Sequence, residues 1–202
     1  MQAACWASLS FAQVDFGVKA GPNLSTWIIY GQANPSLLGY NVGLVARIPV
    51  SQRFFVGSGV VFNTRGTAHY DLDVERLSYL SIPVQIGFKI GRRLQIMAGT
   101  DFGFLLAAVN KDIYANGGMN ISPFFRTVDV GFDGSVRYGF TKNLGIDFSY
   151  IRSLQGILKP NQPFVNNPQG TATDPGTTTP VYVKDNFVNS SFQMGIYYFF
   201  NK

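Results

Sequence analysis

Side-chain chemistry needs a nucleophile or an activated water beside a poised base, and the 202-residue chain offers few such groups. Its one histidine, His69, is followed by Asp71, Asp73, Glu75 and Ser78. A Ser/His/acid device can be drawn from this stretch, and the three acids can be drawn as ligands of a calcium ion. The glycine and terminal glutamate of a calcium loop are missing. Polar residues of a solvated loop explain the cluster as well as either reading. The glycines make no phosphate cradle, because they recur along apolar runs rather than opening a helix. The expectation is a chain without catalytic, metal or cofactor-binding residues.

The elements that would position any chemistry follow from composition. Hydrophobic residues make up 46%, aromatics 15% and charged residues only 13%, against roughly 25% charged in a soluble domain. Charges or glycines interrupt every apolar stretch before the roughly 18–20 residues of a spanning helix. Such a chain must hide its apolar surface in a sheet, and a closed barrel is the sheet that satisfies its backbone in lipid. The formal charge is +5, but the basic residues are scattered rather than clustered in a nucleic-acid footprint. They suit anionic lipid head groups. Residues 1–12 (MQAACWASLSFA), which hold the single cysteine Cys5, read as the end of a secretory signal peptide with a Ser10-Phe11-Ala12 cleavage site. A basic n-region is missing from that stretch, and residues 13–202 form the barrel domain.

Period-two alternation predicts eight strands: about 14–23, 38–48, 54–65, 77–90, 94–106, 125–140, 144–152 and 187–200. Leu80, Ile82, Val84, Ile86, Phe88 and Ile90, for example, alternate with Ser81, Pro83, Gln85, Gly87 and Lys89. The predicted fold class is all-β, an eight-stranded antiparallel transmembrane barrel in up-and-down meander order. Short connections at 49–53, 91–93 and 141–143 alternate with long ones at about 24–37, 66–76, 107–124 and 153–186. In outer-membrane barrels the short turns are periplasmic, which places both termini there too.

One face of each strand is aliphatic and aromatic, and the other is built of glycine, small polar residues and charges. An exterior of glycine with few charges does not suit a soluble barrel, whereas small residues suit the narrow lumen of eight strands. The inward charges then balance: Lys19, Arg47, Arg65, Lys89 and Arg137 against Asp15, Asp101, Asp129, Asp133 and Asp147. Buried charges require partners, so a paired interior network is expected. Phe54, Phe88, Tyr138, Phe140, Tyr198 and Phe200 fall near one rim and Phe62, Phe104 and Tyr150 near the other, as interfacial girdles do. Arg126 and Arg152, on the outward face near the long loops, are candidate contacts for lipopolysaccharide phosphates. Generic surface arginines would look the same.

The opening Phe16-Gly17-Val18-Lys19-Ala20-Gly21-Pro22-Asn23-Leu24-Ser25 resembles the G-x-K-x-G-x-N-x-S strand of PorT-type outer-membrane β-barrels. Leu77-Ser78-Tyr79-Leu80-Ser81-Ile82-Pro83-Val84 is similar to that family's Tyr-Leu-x-Ile-Pro strand. The similarity runs over residues 14–200. It implies a Gram-negative outer membrane, and one branch of the family serves type IX secretion. Gln193, Gly195, Tyr198 and Phe200 resemble the C-terminal signal read by the outer-membrane insertion machinery, although Asn201 and Lys202 follow the final aromatic. Three functions stay open: a non-enzymatic barrel whose long loops meet a partner, ligand or secretion component; a narrow pore; and a lipid-modifying enzyme.

Overall fold

Alternating apolar and polar side chains favour extended backbone, where successive Cβ atoms point to opposite faces. In the computed structural model that alternation becomes one antiparallel sheet. The structure describes residues 14–68, 73–112, 118–159 and 187–200. The signal-peptide stretch with Cys5, the His69 and Asp71 positions, the Asp73 side chain and most of the last long connection lie outside these described residues.

Eight long strands are described: β1 (Asp15–Ile29), β3 (Leu37–Pro49), β4 (Phe54–Ala68), β5 (Asp73–Ile90), β6 (Leu94–Asp112), β8 (Val128–Gly139), β9 (Leu144–Ser153) and β10 (Phe187–Phe199). Two short pieces, β2 (Gln32–Ala33) and β7 (Gly118–Asn120), extend the ends of β1 and β6. The long strands pair as a meander, and β10 returns to β1 from Gly17↔Phe199 to Ile29↔Phe187. The sheet is therefore closed, and the eight-stranded barrel anticipated from the alternation is the observed fold.

Several strands run further than their sequence pattern suggested. β1 continues to Ile29 and turns tightly through Tyr30 and Gly31, so the expected 24–37 loop is mostly hairpin. Both turn residues have positive φ, 49° and 83°, as a two-residue turn matched to strand twist requires. β6 extends to Asp112 across a bulge opposite Ser78/Tyr79. The extra residue moves the inward positions from Gly103 to Ala108, a change of parity that fixed period-two reading cannot follow. The predicted sixth strand starts late: Phe125 and Arg126 precede β8 and belong to a cap held by a 3-10 turn at Ser122–Phe124.

The apolar face points out. Phe16, Leu44, Ile86 and Ile196 are each at least half exposed, while Lys19, Asn41, Arg65 and Asp147 on the other face are buried. Ring pairs mark both ends of the outer wall: Phe54–Phe88 at 5.0 Å and Tyr198–Phe200 at 5.7 Å by the short turns, Tyr40–Phe62 at 5.8 Å and Tyr150–Phe192 at 4.7 Å toward the long connections. An aliphatic band between two aromatic rims is a surface for hydrocarbon bounded by two interfaces.

Candidate functional site in the barrel lumen

The lumen is filled in layers. At the short-turn end, Phe55, Tyr197 and Phe199 point inward and are buried. Gly87 makes room for Phe55, since a Cβ there would lie 2.1 Å from its ring. The Arg47 guanidinium sits 4.7 Å from the Phe199 ring centroid, and that of Arg137 lies 4.7 Å from Tyr197. Arg47 also donates from Nε to Asp15 Oδ2 at 2.9 Å. These two residues face each other in the β1–β3 register, so the pair is a cross-strand contact built into the pairing.

The middle layer centres on Asp147. Lys19 Nζ donates to its Oδ1 at 2.8 Å and Arg137 Nη2 to its Oδ2 at 3.3 Å, while Ser149 Oγ adds a third bond at 3.0 Å. Arg137 stands directly opposite Asp147 in the β8–β9 register, but Lys19 comes from β1, beyond β10. Above it, Arg65 is 1% exposed and reaches Asp101 at 2.5 Å and Asp129 at 3.4 Å. Asp129 Oδ2 also accepts from Ser153 at 2.7 Å, and Asn63 Nδ2 bonds to Ser81 Oγ at 2.9 Å. Charges removed from water are costly unless paired and hydrogen-bonded, and four cations here engage four carboxylates.

Two residues of the expected network stand apart. Lys89 is half-buried near the short-turn rim, and among the described residues it makes no ion pair. Asp133 is buried, and its Oδ1 has no hydrogen-bond partner. It lines a cavity of about 30 Å³ together with Lys19, Gln85, Arg137 and Asp147. That space is large enough for a water and too small for an organic substrate.

A third, apolar layer closes the long-connection end. Trp27, Leu77, Tyr79, Phe125, Ile157 and Phe187 pack there with little or no exposure. Trp27 meets Phe125 at 5.6 Å and Phe187 at 6.3 Å between ring centroids. Residues after β9 are stitched onto the barrel mouth, with Arg126 N donating to Ile157 O at 2.8 Å and Ile157 N to Phe187 O at 2.8 Å. The sequence pattern hides this cap, because Trp27 falls in a predicted loop and Phe125 in a predicted strand. The inward aromatics Phe55, Tyr197 and Phe199 were legible in principle, since they occupy the inward parity of strands already identified.

The lipopolysaccharide candidates differ in placement. Arg152 is exposed on the outer wall of β9. Arg126 is half-buried in the cap, and its Nε donates to Leu158 O at 3.1 Å, so it is committed to the loop rather than standing free on a strand face. Gln193 and Gly195 face the lumen, whereas Tyr198 and Phe200 face outward beside the short turns. Of the His69 cluster, Glu75 is buried and accepts a long bond, 3.5 Å, from Asn110 Nδ2. Among the described residues no group of three metal-ligating side chains converges.

Comparison with known proteins agrees with this geometry. The outer membrane protein beta-barrel domain family matches residues 11–159, more than half of the chain. No curated relative matches. Among solved structures, Ail, the attachment invasion locus protein of Yersinia pestis, crystallised with the heparin analogue sucrose octasulfate, is 15% identical with a TM-score of 0.51, covering 93% of this chain and 99% of its own. Neisserial surface protein A is 11% identical with a TM-score of 0.54, covering 91% and 96%. At such identities the likeness is one of fold.

Proposed function

The chain belongs to the outer membrane protein beta-barrel domain family, and from that premise we propose that it is a sealed, non-enzymatic outer-membrane barrel that raises a sheet platform for a partner. The carrying observation is the filled lumen: an aromatic and cationic layer at one end, ion pairs in the middle and an apolar cap at the other. An eight-stranded lumen closed this way leaves no continuous water path.

Strand length supports the second half of the reading. About 9–11 residues cross a bilayer as a strand, yet β5 has 18 and β6 has 19. β4 runs from the girdle residue Phe62 on to Ala68, and β6 from Phe104 on to Asp112. At about 3.4 Å per residue, those extensions rise roughly 20–27 Å along the strand beyond the aromatic rim. Paired sheet of that height is a rigid support for recognition by loops. The opening strand and the Tyr79-Leu80-Ser81-Ile82-Pro83 motif favour a PorT-type role, in which the partner is an envelope or secretion component, with short turns and termini on the periplasmic side. Exposed Arg152 would meet lipopolysaccharide phosphates below that platform.

Planar-bilayer recording of the refolded protein tests the sealed lumen, and the expectation is no steady conductance steps. Regular steps would reject it in favour of a pore. Lipid A mass spectrometry with and without the gene, and with His69→Ala, should give one unchanged profile; a modification that vanishes with the gene would make the protein an enzyme.

A further inference from the structure

Among the described residues, the exposed charges of the short-turn rim share one sign. Arg53, Arg92, Arg93 and Lys142 are all exposed on the three turns that end β3, β5 and β8. Among the described residues no exposed acidic side chain balances them. Asp15 is the acid at that end, and it is buried against Arg47. The turns are laced into the barrel edge, with Lys89 N donating to Arg53 O at 2.9 Å, Gly139 N to Arg93 O at 2.8 Å and Phe199 N to Asn143 O at 2.9 Å. The charges are therefore carried on a rigid edge.

Their height is set by the girdle. Phe54 directly follows Arg53, Phe140 lies two residues before Lys142, and Arg93 Nη1 donates to the Tyr138 hydroxyl at 3.4 Å. Tyrosine and tryptophan rings mark the head-group level of a bilayer, so a guanidinium tied to that ring sits at phosphate depth. Turns of three or four residues are too short to lift the cations clear into the aqueous phase, where a soluble protein would meet them. Guanidinium groups favour bidentate contact with phosphate oxygens, and basic residues beside a membrane attract anionic lipid. We propose that Arg53, Arg92, Arg93 and Lys142 form a collar that holds anionic phospholipid head groups of the leaflet on the short-turn side. This collar lies at the opposite end from Arg152, and nothing in the sealed-platform reading requires it.

The test uses the refolded chain in nanodiscs of equal phosphatidylglycerol and phosphatidylethanolamine, with retained lipid counted by native mass spectrometry. Phosphatidylglycerol should be retained in at least roughly threefold preference, and the preference should shrink in high salt. R53Q/R92Q/R93Q/K142Q should retain both lipids equally, while R76Q/K111Q/R152Q at the far rim should keep the wild-type preference. Heat-modifiable gel mobility reports whether each variant has folded, and the half-sets R53Q/R92Q and R93Q/K142Q replace the quadruple change if it does not. No preference in the wild type, an undiminished preference after neutralising the collar, an equal loss from the far-rim variant, or a greater loss of lipid A than of phosphatidylglycerol on neutralising the collar would each overturn the proposal.

Discussion

Buried acids in the same lumen differ in standing, and the difference is pairing. Asp101 and Asp129 both lean on Arg65, so removing that guanidinium leaves two carboxylates in a low-dielectric interior. Breaking a buried pair in this way costs about 3–5 kcal/mol. Arg65→Ala should therefore lower the urea midpoint for folding in lipid vesicles by that equivalent, or prevent folding. Asp133 has an orphaned Oδ1 and no ion pair among the described residues, so neutralising it forfeits no salt bridge. Asp133→Asn should leave stability within about 1 kcal/mol of the wild type, or raise it. An Asn variant as damaged as the Arg65 variant would mean that the carboxylate has a partner essential to the fold.

At the scale of elements, the first hairpin is the clearest mismatch between residue and backbone. Tyr30 adopts φ 49° beside Gly31 at φ 83°, in a turn that favours asparagine followed by glycine. A bulky side chain pays a steric cost in that left-handed region. Tyr30→Asn should tighten the hairpin, and the Asn34 amide reports it, because its bond to Trp27 O at 2.9 Å closes the turn. Hydrogen exchange there should slow by about threefold or more, the equivalent of roughly 0.7 kcal/mol; faster exchange would show that the tyrosine ring contributes contacts outweighing its backbone strain. The strand ends were hard to read for related reasons. Above the girdle the outer wall no longer needs to be greasy, so the alternation fades although the hydrogen-bonded ladder continues.

For the whole molecule, closure through β10–β1 removes both sheet edges, and with them the sites at which detergent or a second chain could pry the sheet open. The unheated protein should accordingly migrate faster on a detergent gel than the boiled one. Identical mobility in both lanes, for protein refolded into lipid, would be incompatible with a closed barrel. Stability of this kind is shared around the ring, because each strand is held on both sides. A lesion in one turn should therefore cost less than a lesion in the lumen, where Arg65 joins β4 to β6 and β8 across the interior.

The chain by itself determined the eight strands, their order and which face meets lipid, because period-two alternation is a local property that survives without knowledge of any neighbour. Two of the ion pairs, Asp15–Arg47 and Arg137–Asp147, follow from register alone. Only the tertiary structure decided that Lys19 and Arg137 share Asp147, that Arg65 spans to Asp101 and Asp129, and that Asp133 and Lys89 are left out. Those choices depend on barrel diameter and stagger, which are set by closure of the whole ring. The apolar cap was hidden for the same reason: Trp27, Phe125, Ile157 and Phe187 are far apart in sequence and meet only where the barrel mouth gathers them.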